Sequence, residues 1–144
     1  MKTCQGPDPH TKRPEITLPP KACDAHCHVF GPSNIFPFHP DRSYTPPDAT
    51  KENLKTLHQI LGLERAVIVQ ATCHGDDNTA MLDAISSSNG SYKGIAMIGD
   101  TATENELEKL NACGVRGSRF SFARHLSGPP DLEKVYRVTK MYAS

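Results

Sequence analysis

The hydrophobic and polar positions of this chain change period several times after residue 20. Residues 65–71 form a short, nearly continuous apolar run, which is typical of a strand buried on both faces, and we predict further strands at 93–98 and 115–122. Residues 22–29 alternate polar and apolar side chains with a period of two, which indicates a strand with one apolar face. The pattern therefore predicts four strands.

Apolar residues recur at helical spacing after each of these strands. The predicted helix starts are, in order, Asp48 or Thr50, Asp76 and Asp77, a capping box from Thr103 to Glu106, and Pro129. The residues predicted to share an apolar face are, in the same order, Leu54, Leu57, Ile60 and Leu61; Met81, Ala84, Ile85 and Ser88; Leu107, Leu110 and Cys113; and Leu132, Val135, Val138 and Met141. Gly62 and Gly114 are predicted to end the first and third helices.

Four strands alternating with four helices predict an α/β fold with a parallel sheet covered by helices. Two architectures fit this order: a doubly wound sheet, or about four units of a TIM-type (β/α)8 barrel. No glycine-rich phosphate loop follows the first strand, which removes the main signal of a dinucleotide-binding sheet. We assign residues 1–20 to a polar, proline-rich, flexible tail and 21–144 to the domain, with an ordered loop at 30–50.

Composition narrows the class of protein. The 16 basic and 16 acidic residues give no net charge, so a nucleic-acid surface is not indicated, and no segment predicts a membrane span or signal peptide. The five cysteines are an odd number without a Cys-x-x-Cys pair, and we expect three of them on apolar faces of strands or helices. This usage predicts a reduced, cytoplasmic protein.

Asp24, His26 and His28 lie two residues apart in the first predicted strand, so their side chains are expected to converge on one face. Two imidazoles and a carboxylate can bind a metal or move protons. Cys27 and Val29 would face the other way and pack. The alternative is a surface strand that carries solvated histidines. Polar residues at other strand ends, where barrel enzymes place their sites, favour a functional site.

Several linked motifs in this order resemble the amidohydrolase superfamily, and most closely its lactonase branch, the 2-pyrone-4,6-dicarboxylate lactonase family. The resemblance covers about residues 20 to 140. It rests on Asp-Ala-His-Cys-His-Val-Phe-Gly-Pro (24–32), Phe-Pro-Phe (36–38), Tyr-Thr-Pro (44–46), Val-Gln-Ala-Thr-Cys-His-Gly (69–75) and Gly-Val-Arg-Gly-Ser-Arg-Phe-Ser-Phe (114–122). It implies a (β/α)8 barrel that hydrolyses a cyclic ester, with a lactone or dicarboxylate as its small-molecule partner.

The resemblance places the family's catalytic His-x-His pair, at the end of strand 1, on His26 and His28. Relatives that depend on a divalent metal such as zinc use this pair as ligands, whereas the lactonase branch is able to act without a cofactor. The resemblance therefore implies either no cofactor or a divalent metal held by His26 and His28.

The same resemblance implies five substrate-binding positions. The tyrosine of the first loop matches Tyr44, the hydroxyl residue after strand 2 matches Thr72, and the arginine after strand 4 matches Arg119. A second family arginine falls on His125, directly after Arg124, so one anion-binding position departs from the family pattern. Each of the first three also has a structural alternative: packing, capping of a turn, and pairing with backbone carbonyls.

The resemblance also implies eight β/α units, of which this sequence holds four. The histidine expected near strand 6 and the aspartate expected near strand 8, the general base, have no counterpart, so we expect the 144-residue chain alone to be inactive. Two alternatives remain: a metal-dependent decarboxylase of the same superfamily, and a non-catalytic half-barrel or truncated relic. The unpaired edge strands of a half-barrel predict self-association.

Overall fold

The computed structural model describes residues 2–99, 101–121 and 131–143. The strands in these ranges are β1 (Lys2–Thr3), β2 (Cys23–Cys27), β3 (Tyr44–Thr45), β4 (Arg65–Val69), β5 (Tyr92–Ala96) and β6 (Val115–Ser118). The helices are α1 (Lys51–Leu61), α2 (Thr79–Ser86), α3 (Glu104–Ala112) and α4 (Leu132–Ala143), and a 3₁₀ turn covers Thr72–His74. None of the helices in these ranges has the length and apolar content that crossing a membrane requires.

Four strands form one parallel sheet in the order β2-β4-β5-β6. Each strand therefore pairs with the next sheet strand along the chain, and the described part of the sheet never reverses direction. A doubly wound sheet reverses its strand order at a switch point, whereas a (β/α)8 barrel adds its strands in sequence. The structure thus confirms the α/β prediction and selects the barrel type.

The core lies between the sheet and its helices. The largest fully buried apolar side chains are Ile68, Met81, Val138 and Cys73. α2 packs on β4 and β5, and it does so closely because β5 carries Gly94: a Cβ at this position would lie 2.6 Å from Cδ1 of Ile85. The capping box of α3 forms as predicted, with the Thr103 amide donating to Glu106 Oε2 at 2.7 Å.

Several predicted boundaries and faces are wrong. β2, β4, β5 and β6 end two or more residues before the predicted ends, and residue 122 lies outside the described residues. α2 begins at Thr79, two residues after Asp77, whose Oδ1 accepts the Thr79 amide at 3.0 Å. Cys23 and Cys113 are exposed, so fewer cysteines are packed than predicted.

The prediction that Leu132 lies on the apolar face of α4 is also wrong, since this side chain is 67% exposed while Val138 is buried. The predicted face of this helix spaced its apolar residues by three. In a helix with 3.6 residues per turn, that spacing drifts by about 60° at every step. The first residue of the series has therefore rotated away from the sheet.

The loop at 30–50 is fixed to the rest of the domain by His74, which is fully buried. The Gly31 amide donates to Nε2 of His74 at 3.4 Å, and Nδ1 lies 3.2 Å from the Pro37 carbonyl. The carbonyl can only accept, so Nδ1 carries the proton of a neutral ring. Burial lowers the pKa of His74, in keeping with that neutral form.

The N-terminal residues add one regular element that the sequence pattern does not predict. β1 pairs in parallel with β3, Lys2 opposite Tyr44 and Thr3 opposite Thr45. This pairing brings the start of the chain beside the loop that carries Tyr44.

We expect His74 to make the protein less stable in mild acid. Its pKa is lowered in the folded state, so the unfolded chain binds the proton more readily, and the free energy of unfolding falls as the pH drops below about 6.5. His74→Gln keeps an acceptor and a donor but cannot titrate, and it should flatten this dependence in urea melts at pH 5 to 8. His74→Ala should cost about 2 kcal/mol or more at pH 7.5, because it leaves buried backbone groups unpaired. An unchanged pH dependence in His74→Gln would contradict this role.

Candidate active site at the ends of the parallel strands

An extra residue in β2 determines which side chains face the site. Asp24 is paired with Ala66 and Cys27 with Ile68, so three steps along β2 correspond to two steps along β4. Such a bulge reverses the alternation of faces beyond it. As a result, Asp24 and Cys27 lie on the same side of the strand.

Asp24 does not join the two histidines, and this part of the prediction is wrong. Its Oδ2 lies 3.2 Å from Nε2 of His58 on α1, and Nδ1 of His58 lies 2.9 Å from the Tyr92 hydroxyl. Its Oδ1 accepts the amide of His26 at 3.0 Å. The carboxylate therefore holds the bulge and connects β2 to α1, because the extra residue turned it away from the face that a regular strand would give it.

His26 and His28 do come together. Their ring centroids are 5.1 Å apart and the rings are nearly perpendicular. His26 is exposed and His28 is half-buried at the end of the strand. Two imidazole rings thus lie side by side at the solvent-facing end of β2.

The hydrogen bond of His28 determines its tautomer. Its Nδ1 lies 2.7 Å from the carbonyl oxygen of Val69 at the end of β4, and this oxygen can only accept. Burial lowers the pKa of His28, and the positive charge of Arg119 acts in the same direction. A neutral ring that donates from Nδ1 has an unprotonated Nε2, which can accept a proton or bind a cation.

Arg119 follows β6 and reaches across the strand ends. Its Nη1 donates to the carbonyl of Gln70 at 2.8 Å. Gln70 directly follows Val69, whose carbonyl accepts from His28. The guanidinium has five donors in a planar fork, so the edge beyond this bond can pair with a carboxylate. Arg116 points to the other side, where it donates to the Asn111 side chain at 2.8 Å.

Tyr44 and Thr72 also meet. The Thr72 hydroxyl donates to the Tyr44 hydroxyl at 3.4 Å, and burial raises the pKa of Tyr44. A cavity of about 820 Å³ extends from Tyr44 and His28 between α1 and residues 4–11. Tyr44 and His28 therefore lie at the wall of a space large enough for a small acid.

Arg124 and His125, the remaining substrate-binding positions implied by the family, lie outside the described residues. Cys27 and Cys73 are not nucleophiles. Burial raises the pKa of Cys27 to about 12 and also raises that of Cys73, so both stay protonated at neutral pH.

We call the solvent-facing end of β2, where His26 and His28 lie, the mouth. Its described residues supply too few ligands for a catalytic metal. His26 and His28 supply two nitrogen ligands, whereas a catalytic zinc takes three protein ligands. Asp24, the expected third, is held by His58 on the other side of β2. The described residues at the end of β2 therefore do not complete a three-ligand zinc site.

The sequence reasoning missed His58 and Tyr92. His58 is 2% exposed and lies four residues after the buried Leu54, so the period of α1 could have marked it as an inward-facing position. Its contact with β2 depends on the bulge, which no pattern of residue types predicts.

Known proteins share this architecture and these motifs. Residues 23–143 match the family model described as Amidohydrolase. The chain is 53% identical over 114 residues to a 2-pyrone-4,6-dicarboxylate hydrolase of Comamonas testosteroni, covering 79% of this chain and 37% of that protein. It is 40% identical over 136 residues to a 4-sulfomuconolactone hydrolase of Rhizobium radiobacter, covering 94% and 46%.

A crystal structure of a probable 2-pyrone-4,6-dicarboxylic acid hydrolase from Acinetobacter baumannii, with citric acid bound, superimposes with a TM-score of 0.66. The identity is 26%, and the match covers 84% of this chain and 46% of that one. The chain thus spans less than half the length of these relatives. Since the family model covers most of its residues, the chain belongs to the amidohydrolase family.

Proposed function

We propose that this chain supplies the first strands of a lactone-hydrolase site, which opens a cyclic ester carrying an anionic group by the attack of water. One observation carries the proposal: His28 and Arg119 bond to the carbonyls of two consecutive residues, Val69 and Gln70, at the end of β4. A proton acceptor and an anion anchor are thereby held side by side. The two curated relatives are named for lactones with carboxylate or sulfonate groups, which supports an anionic substrate.

The reaction adds the hydroxyl group of water to the lactone carbonyl carbon and breaks the bond between that carbon and the ring oxygen, which takes up the proton that the water gives to the general base. Nε2 of His28 accepts a hydrogen bond from the attacking water and orients it. A donor from His26 or from the Tyr44 hydroxyl polarises the carbonyl oxygen. Arg119 holds a carboxylate of the substrate, and the family's general base is expected from a later strand.

Arg119 should be required for anion binding, and Arg116 should not. We expect Arg119→Met to weaken the binding of citrate or 2-pyrone-4,6-dicarboxylate by about 10- to 100-fold, the effect of one charge-assisted hydrogen bond. Arg116→Met removes the same charge on the opposite side and should bind as the unaltered chain does. Isothermal titration calorimetry measures both. Equal losses in the two variants would indicate nonspecific attraction and contradict the proposal.

Turnover should need the later strands. We expect no hydrolysis of 2-pyrone-4,6-dicarboxylate by the 144-residue chain alone, and hydrolysis by a chimera in which residues 23–143 replace the matching segment of the Comamonas enzyme. His28→Ala in the chimera should lower kcat/KM by about 10-fold or more, because the attacking water loses the hydrogen-bond acceptor that orients it. A folded chimera without lactonase activity, or one indifferent to His28→Ala, would contradict the proposed function.

The tautomer of His28 can be measured directly by nitrogen NMR of the imidazole. We expect a proton on Nδ1 and a pKa below 6.5. Arg119→Met should raise this pKa because it removes a nearby positive charge, while Arg116→Met should leave it unchanged. A proton on Nε2 at neutral pH would contradict the assignment of Nε2 as the acceptor.

A further inference from the structure

A second group of metal-binding side chains lies behind β2, away from the two histidines of the mouth. It consists of Asp24, Cys27 and His58, and one ligand atom from each lies within 4.8 Å of the other two. Carboxylate oxygen, thiol sulfur and imidazole nitrogen form a donor set that zinc and its chemical analogues bind. The bulge in β2 creates the group, because in a regular strand Asp24 and Cys27 would face opposite sides.

The group is separate from the candidate active site. His58 belongs to α1 and is fully buried, and its ring contacts Asp24 of β2 and Tyr92 of β5. Cys27 donates to the carbonyl of Val67 within β4, 3.6 Å away. His28, by contrast, is bonded to Val69 at the strand end.

The spacing is close to that of a bound cation. Bonds of about 2.0–2.3 Å place the ligand atoms of a tetrahedral zinc about 3.3–3.8 Å apart. The Asp24 and His58 atoms are already 3.2 Å apart, and no two of the three ligand atoms are more than 4.8 Å apart, which exceeds the upper end of the tetrahedral spacing by about 1 Å at most. The Asp24 side chain is 27% exposed, so water can reach a fourth coordination position.

Tyr92 supplies the partner that a metal-binding histidine normally has. Its hydroxyl lies 2.9 Å from Nδ1 of His58, on the opposite edge of the ring from Asp24. A histidine that binds metal through one nitrogen usually donates its other N–H to an oxygen, and this contact fixes the ring. The phenolic oxygen can accept that bond.

We propose that Asp24, Cys27 and His58 form a site for a zinc-type divalent cation between β2 and α1, with water as the fourth ligand. Binding at Nε2 shifts the single proton of the neutral His58 ring to Nδ1, from which it is donated to the Tyr92 hydroxyl, and the proton of the Cys27 thiol is released to solvent. The carboxylate and the thiolate then balance the two positive charges. The cation would join the bulge of β2 to α1 and so fix the strand that carries His26 and His28.

The test is a titration of the reduced chain with Co²⁺, a spectroscopic substitute for zinc. We expect one equivalent to produce the near-ultraviolet charge-transfer absorption of a cobalt–thiolate bond, with the visible bands of a four-coordinate ion. Cys27→Ser should abolish the charge-transfer absorption, and Cys23→Ser, which alters a neighbouring exposed thiol, should keep it. Zn²⁺ should displace the cobalt and raise the Tm in a concentration-dependent way.

Two further variants locate the ion. The double variant His26→Ala, His28→Ala should keep the cobalt–thiolate absorption, since those histidines lie on the other side of β2. Tyr92→Phe should weaken the binding by about 10- to 100-fold while leaving the spectrum unchanged in form. Far-ultraviolet circular dichroism checks that each variant is folded. If Cys27→Ser does not fold, Asp24→Asn is used in its place.

The proposal is overturned if the unaltered chain gives no cobalt–thiolate absorption, if Cys27→Ser retains it, or if the double histidine variant loses it. The first result would assign the three side chains to a hydrogen-bonded group in which Tyr92 donates to His58 and His58 donates to Asp24. The last would place the cation at the mouth.

Discussion

The extra residue in β2 is the constraint on which both groups of polar side chains depend. It turns Asp24 towards α1 while His26 and His28 stay at the mouth. An unsupported bulge loses ladder hydrogen bonds, and here the Asp24 carboxylate replaces one of them by accepting the His26 amide. The buried His58 in turn holds that carboxylate. The position of His26 and His28 is thus fixed by contacts on the opposite side of β2.

The sequence predicted most reliably the features that depend on local, repeating patterns of residues. The alternation of strands and helices and the start of α3 at Thr103 follow from periodicity and capping, which depend on residues close together in the chain. The choice between a barrel and a doubly wound sheet could not be made this way, because both use the same local units. Only the spatial order of the strands decided it.

The candidate site was predictable in part, for a similar reason. His26, His28, Tyr44, Thr72 and Arg119 were found through the resemblance of several motifs, and the structure brings them to the ends of the strands. The role of Asp24 was not predictable, since one inserted residue reverses every face that follows it. His58 was missed because its two partners, Asp24 and Tyr92, each lie 34 residues away along the chain, while its spacing within α1 is that of a core residue.

The end of β4 has a further consequence. Val69 and Gln70 are neighbours in the chain, and their carbonyls hold His28 and Arg119 respectively. The spacing between these two side chains is therefore set by a single peptide unit of a buried strand, whose length does not vary. Insertions in the loops around the mouth can reshape the walls that contact a ligand without altering that spacing. The distance between the two side chains and the shape of the surrounding walls are therefore set by separate parts of the fold.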